Sequence, residues 1–280
     1  MIRGGTALAL VAVLTTPVAA QSVSYEGGLG VASGNYIFTV PTTTWSLLTG
    51  AAVEAGPLTV RASVPVYVQN TVLITASGVG RLPSGGSWSG TVADSGRHGG
   101  GSGSRRGGPR LTPPASTVTG YRVAVGDPLV TGMWRVTAGA RTTVAIGAGA
   151  KVPVADTATF GTGAWDVGVL ASVTTTLGAA GYGGLDVSYW HLGDLPDLNF
   201  VDPVTATASL GRVFGAGWGG SVFLTGGTAS VSGYDAPLLV GASVTRLGLP
   251  AAWGVGISVG LSDAVAAWAA NLTWRIRLRG

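Results

Sequence analysis

Along most of the chain, apolar and polar residues alternate with a period of two, the repeat of a strand whose faces meet different surroundings. Leu58, Val60, Ala62, Val64, Val66 and Val68 share one face, and Thr59, Arg61, Ser63, Pro65, Tyr67 and Gln69 the other. Val144, Ile146, Ala148, Ala150 and Val152 oppose Thr143, Ala145, Gly147, Gly149 and Lys151 in the same way. Trp165, Val167, Val169, Ala171 and Val173 oppose Asp166, Gly168, Ser172 and Thr174. Near the C-terminus Trp268, Ala270, Leu272, Trp274, Ile276 and Leu278 oppose Asn271, Thr273, Arg275 and Arg277. A helical repeat would mix the two sets in every case.

The pattern predicts strands at 22–34, 43–55, 57–69, 127–137, 140–153, 164–176, 181–192, 203–214, 217–229, 235–247, 251–262 and 264–278. Tight Gly/Pro turns at 56–57, 138–139, 178–181, 215–216 and 248–250 alternate with longer links, most clearly 70–126, 154–163 and 193–202. Short turns at one rim and long loops at the other are the plan of an outer-membrane barrel with periplasmic turns and extracellular loops. Trp45 and Trp165 fall near the predicted outer ends of strands, and Trp134, Trp218, Trp253 and Trp274 near the periplasmic ends, where interfacial girdles belong. The expected fold is therefore all-β: a transmembrane, antiparallel, up-and-down β-barrel of about twelve strands. A soluble sandwich also alternates, but its outward face would carry many charges, whereas here the polar face is mostly Gly, Ser and Thr.

Composition sharpens this. Only 10% of residues are charged while 46% are hydrophobic, and 48 glycines interrupt every long apolar run after the N-terminus, so lipid-facing surface must come from strands. Only a closed barrel lets strands cross a bilayer, because closure pairs every backbone N–H and C=O. Residues 1–20 read as a cleavable signal peptide, with Arg3, an apolar run from Ala7 to Thr16, and Val18-Ala19-Ala20 before the cleavage point. Residues 21–280 then form the barrel domain, in the cell outer membrane of a Gram-negative-type bacterium. The chain has no cysteine, which removes disulfides and thiolate metal sites.

Residues 81–116 are different: rich in Gly, Ser and Pro, they hold Arg81, Arg97, Arg105, Arg106 and Arg110 against Asp94. Such a segment is expected to be a flexible extracellular loop, whose arginines can meet lipopolysaccharide phosphates. No aromatics interleave with the arginines, so a nucleic-acid partner is not expected. The expected partners are outer-membrane lipid and lipopolysaccharide, the barrel-assembly machinery, and small solutes.

Catalytic chemistry has little to work with. His98 lies in the basic loop, and His191 lacks the serine two residues on that an outer-membrane phospholipase pair would need, since Gly193 is there. Asp194, Asp197 and Asp202 lack the dense oxygen spacing of a calcium loop. No enzyme, cofactor or metal is expected. What remains is a charged set on lumen parity: Glu54, Arg61, Asp127, Arg135, Lys151, Asp166, Asp186, Arg275 and Arg277. These are the candidate pore-lining residues. About twelve strands enclose more than the self-filled interior of about eight and less than the open channel of about sixteen, so a narrow pore is expected.

Four segments carry a resemblance. Ala62-Ser63-Val64-Pro65-Val66-Tyr67, Gly126-Asp127-Pro128-Leu129-Val130-Thr131-Gly132, Lys151-Val152-Pro153-Val154-Ala155-Asp156 and Gly161-Thr162-Gly163-Ala164-Trp165-Asp166-Val167-Gly168 occur in order. Together they resemble segments of the outer-membrane channels named for the meta-pathway of phenol degradation. Ala155 stands where those proteins have Gly. The resemblance implies a barrel that admits hydrophobic or aromatic compounds. The expected function is a narrow passive channel for small, apolar or aromatic solutes. The alternative is a closed structural or surface-binding barrel acting through its basic extracellular loop.

Overall fold

The computed structural model describes residues 21–84, 110–113, 120–193 and 200–279. In chain order its strands are β1 (Gln21–Gly34), β2 (Thr42–Ala55), β3 (Leu58–Gln69), β4 (Ile74–Ser77), β5 (Gly80–Pro83), β6 (Arg122–Val125), β7 (Leu129–Ala138) and β8 (Thr142–Lys151). They continue as β9 (Asp166–Leu177), β10 (Gly181–His191), β11 (Val204–Phe214), β12 (Trp218–Gly227), β13 (Leu238–Arg246), β14 (Ala251–Gly260) and β15 (Trp268–Arg279). All but β4 and β5 belong to one antiparallel sheet, in which β15 returns to pair with β1 and closes the ring. Since β6 and β7 are two pieces of one wall strand, both paired with β3, the thirteen segments make a barrel of twelve wall strands. The strands expected from alternation coincide with these twelve to within four residues at either end, except that the fourth begins five residues earlier, at Arg122, because β6 was not expected.

Alternation becomes inside and outside. Trp45, Ile146, Val169, Leu210, Val222 and Ile257 stand exposed on the outer wall. Their neighbours on the opposite parity face the lumen. At the closing seam Leu29 is flanked by Leu47 and Leu272, all outward, and Gly27 lies opposite Trp274. A Cβ on Gly27 would come within 2.5 Å of the Trp274 indole, so glycine there lets the ring lie flat on the wall. A closed ladder with a mostly apolar exterior is a lipid-facing surface, and no described helix is long and apolar enough to cross a membrane. The molecule is an outer-membrane barrel.

The fourth wall strand breaks at Gly126-Asp127-Pro128, opposite Pro65 of β3. Two prolines without N–H groups cannot continue the ladder there. Gly126 N donates to Pro65 O at 2.8 Å and keeps the strands together across the gap.

Residues 81–116 differ from their expectation where they are described. Gly80–Pro83 form β5, which pairs with β4 as a hairpin inside the barrel. Leu111 is fully buried and bridges to Phe38. The reason is apolar content: Leu73, Ile74, Leu82 and Leu111 enter a core with Tyr36, Ile37, Phe38, Trp190, Leu192, Phe200 and Val231, inside the barrel at the end that carries the long connections. The segment is thus in part a folded inner plug, not wholly a flexible outer loop. The expected signal at 1–20 and Arg97, Arg105 and Arg106 lie outside the described residues.

Candidate functional site in the plugged lumen

The plug is held by an ion cluster in the wall. Lys151 Nζ lies 3.3 Å from Asp127 Oδ2 and 3.3 Å from Asp166 Oδ2, and all three side chains are at most 2% exposed. Lys151 also donates to Thr162 Oγ1. Asp127 Oδ1 accepts from the backbone N–H groups of Val154 and Ala155 at 3.0 and 2.9 Å, which turns the chain inward after β8. Asp166 accepts from Gly193 N at 3.2 Å and from Ser77 Oγ at 2.8 Å, the latter reaching across to the inner hairpin. Buried charge is tolerable only when paired and hydrogen-bonded, and here the partners come from the link between β8 and β9, from the chain after β10 and from the inner hairpin. Asp127, Lys151 and Asp166 are therefore on the inner face, as their parity requires, but packed under loops instead of bordering open lumen.

Stacking fixes the hairpin as well. Trp190, 1% exposed, lies across the inner wall. A Cβ on Gly149, Gly168 or Gly78 would come within 2.7, 2.5 or 2.0 Å of its indole. Two wall glycines and one hairpin glycine thus sandwich one ring. On the other side Thr44 Oγ1 donates to Gln69 Oε1 at 2.6 Å, and Gln69 Nε2 donates to Ile74 O at 3.0 Å. Gly126 keeps clear of the Tyr67 ring, which a Cβ would approach to 2.5 Å. Tyr67 packs edge-on against Phe160, and its face carries the Arg81 guanidinium at 4.6 Å.

The hairpin leaves two spaces. Beside it, against β1, β11, β13 and β15, a cavity of about 380 Å³ is lined by Val79, Leu82, Val231, Tyr234, Leu239 and Val265 among others. Thr205, Thr225, Ser258 and Asn271 supply its neutral polar wall. On the other side, between β3 and β11, is a more polar chamber of about 440 Å³ with Arg61, Met133, Ser172, Asp186 and Thr207 in its lining.

The remaining candidates are distributed around the half of the barrel nearer the short turns. Arg61 Nε lies 3.4 Å from Glu26 Oε2, and Arg275 lies 2.7 Å from Glu26 and 3.9 Å from Glu54. Glu54 also accepts from Ser22 Oγ at 3.3 Å. Arg277 lies opposite Ser24 on the same inward parity. Arg135 turns to the rim, where it donates to Gly56 O at 2.9 Å. Glu26, the hub of this group, was missed in sequence, although Ser24, Glu26 and Gly28 alternate there with Tyr25, Gly27 and Leu29. Of the five loop arginines, the two that are described turn into the protein: Arg81 stacks on Tyr67, and Arg110 pairs with Asp263 at 2.6 Å. Tyr36 and Arg81 as cavity residues had no periodic signal to reveal them.

Outside the lumen, His191 Nδ1 lies 3.0 Å from Asp202 Oδ2, and Tyr189 donates to the same carboxylate at 2.8 Å. The hydrogen bond from His191 is the main reason that the Asp202 carboxyl is held below the usual range, with Tyr189 and the Leu192 N–H adding to it. Among the described residues no three His, Cys, Asp or Glu side chains gather as a metal site. Asp194 and Asp197 lie outside the described residues.

No family model and no curated protein sequence matches the chain. Among solved structures, an outer membrane channel from Pseudomonas putida F1 superposes with a TM-score of 0.58 at 12% identity, covering 94% of this chain and 97% of that one. The monoaromatic hydrocarbon channel CymD gives 0.46 at 8% identity over 94% and 90% of the two chains. The toluene transporter TbuX from Ralstonia pickettii gives 0.44 at 13% identity over 96% and 93%. In fold, then, this chain is similar to the Pseudomonas outer membrane channel, along almost the whole of both chains.

Proposed function

We propose that this barrel is a narrow passive channel for small, apolar or aromatic solutes, needing no cofactor. The observation that carries the reading is the apolar cavity of about 380 Å³ beside the inner hairpin. It is within the usual size of small-molecule sites and well above the roughly 150 Å³ that suffices to hold benzene in an engineered protein core. In this reading Glu26, Glu54, Arg61, Asp186, Arg275 and Arg277 line the periplasmic half of the route. Mutually paired charges of both signs let that half stay wet without a strong field of either sign. Asp127, Lys151 and Asp166 hold the hairpin that narrows the outer half.

The test is single-channel recording in a planar bilayer, with folding shown by heat-modifiable gel mobility. Small current steps that benzyl alcohol reduces saturably are expected. Folded protein that gives no current above leak overturns the channel.

A further inference from the structure

In the mostly apolar lining of the cavity beside the hairpin, two polar atoms stand out. Tyr36 Oη and Arg81 Nη1 are both buried and both lack a hydrogen-bond partner, and both residues line this cavity. They are close enough that the charge on Arg81 acts on the Tyr36 hydroxyl. Arg81 makes no ion pair among the described residues; its guanidinium rests on the Tyr67 ring at 4.6 Å. A buried donor left unbonded is costly, and a half-buried cation without an ion-pair partner adds to that cost. Such a pair is expected where a ligand supplies the missing acceptors.

The backbone under Tyr36 gives an independent indication. Tyr36 and Ile37 have φ of 49° and 71°, a left-handed conformation that side chains rarely adopt and β-branched ones least of all. Each such residue is strained, and the conformation persists only if its surroundings impose it. Here Ile37 N donates to Asp263 O at 2.9 Å and Leu111 N to Ile37 O at 2.7 Å, while Arg110 clasps the Asp263 carboxylate. Three connections are thus spent on holding Tyr36 pointed into the cavity.

We propose that Tyr36 and Arg81 form a polar head site within the apolar cavity, selective for an aromatic carboxylate over a neutral aromatic of the same size. Both groups are donors: guanidinium has no acceptor, and burial pushes the Tyr36 hydroxyl above its usual range, so it keeps its proton. A carboxylate presents two acceptor oxygens and the missing negative charge, while the apolar lining takes the ring. Asp235 also lines the cavity, but it lines as well a neighbouring pocket with Asn35 and Asp263 and makes no ion pair with Arg81 among the described residues. The inference deepens the channel reading by naming the solute class, and rests on it for the claim that the bound anion passes through.

The test is calorimetric binding of benzoate and of benzyl alcohol to the folded full-length protein in detergent, alongside bilayer current in the presence of each. Benzoate should bind at least about tenfold more tightly than benzyl alcohol, the usual worth of one charge-assisted contact. Arg81→Gln should abolish that margin, Arg81→Lys should keep part of it, and Tyr36→Phe should weaken benzoate several-fold without affecting benzyl alcohol. Equal binding of the two ligands by the unaltered protein, or a margin unchanged in folded Arg81→Gln, overturns the head site. If Arg81→Gln fails to fold, the unaltered protein and Tyr36→Phe decide. Charge-selective binding without any current sinks the channel and leaves the site standing; current that both ligands block equally does the reverse.

Discussion

Lys151 and Asp127 face each other at 3.3 Å with neither side chain in contact with solvent. One lies at the end of β8 and the other in the gap between β6 and β7, so their pairing ties a loop turn to a broken wall strand. Asp166 joins from the start of β9. Removing the cation leaves two carboxylates buried together without a counter-charge. Lys151→Met is therefore expected to destabilise the folded barrel by about 3–5 kcal/mol, the scale for breaking a buried pair. Urea unfolding in detergent micelles measures this. Adding Asp127→Asn and Asp166→Asn to the variant should recover part of the loss; no recovery would mean that the charges are not the cause.

The hairpin should be the element that limits current. Gly168→Val places side-chain atoms where the Trp190 indole lies, since even a Cβ there would approach it to 2.5 Å. The displaced ring no longer backs Gly78, and the hairpin should loosen. Single-channel conductance is expected to rise, and to rise further when residues 74–83 are replaced by a short Gly/Ser link. Conductance unchanged by that replacement would show that the constriction is elsewhere.

Glu26 holds both Arg61 and Arg275, at 3.4 and 2.7 Å. Glu26→Gln leaves two lumen cations with one fewer counter-charge. In a salt gradient the reversal potential should shift towards anion selectivity. The shift should be larger at low ionic strength, because screening weakens exposed charges. A shift towards cations would contradict the placement of Glu26 on the inner wall.

On the outer rim, Asp202 binds His191, Tyr189 and the Leu192 backbone, and these lower its carboxyl below the usual range. A carboxyl lowered in the folded state contributes stability above its unfolded value of about 3.9 and loses it as pH falls through the folded value. The latch between β10 and the connection to β11 should therefore be intact at neutral pH and release only in acid below about pH 4. Hydrogen exchange at Leu192 should report this, and Asp202→Asn should remove the acid step while the rest of the barrel keeps its protection.

Sequence alternation was enough to determine the wall. Val, Leu, Ile and Trp at every second position, with Gly, Ser and Thr between, leave one solution when lipid lies outside, and Leu58–Gln69 or Trp268–Arg279 can be oriented without any tertiary information. The charged candidates on inward parity followed from the same rule, because parity is a local property. Glu26 obeys it too and was passed over.

The contents of the lumen were decided only by the tertiary structure. Whether an inward residue meets water or protein depends on what folds over it, and the segment from Ile74 to Pro83 carries too short an alternation to announce a hairpin. That hairpin, together with the inward loops, turns Asp127, Lys151 and Asp166 from lumen wall into a buried clasp. It also brings Arg81 off the basic loop and onto Tyr67. Tyr36 and Arg81 are 45 positions apart in sequence and share no periodicity. They meet because a closed barrel leaves an interior that apolar side chains from several loops must fill, and the cavity is what that filling leaves over.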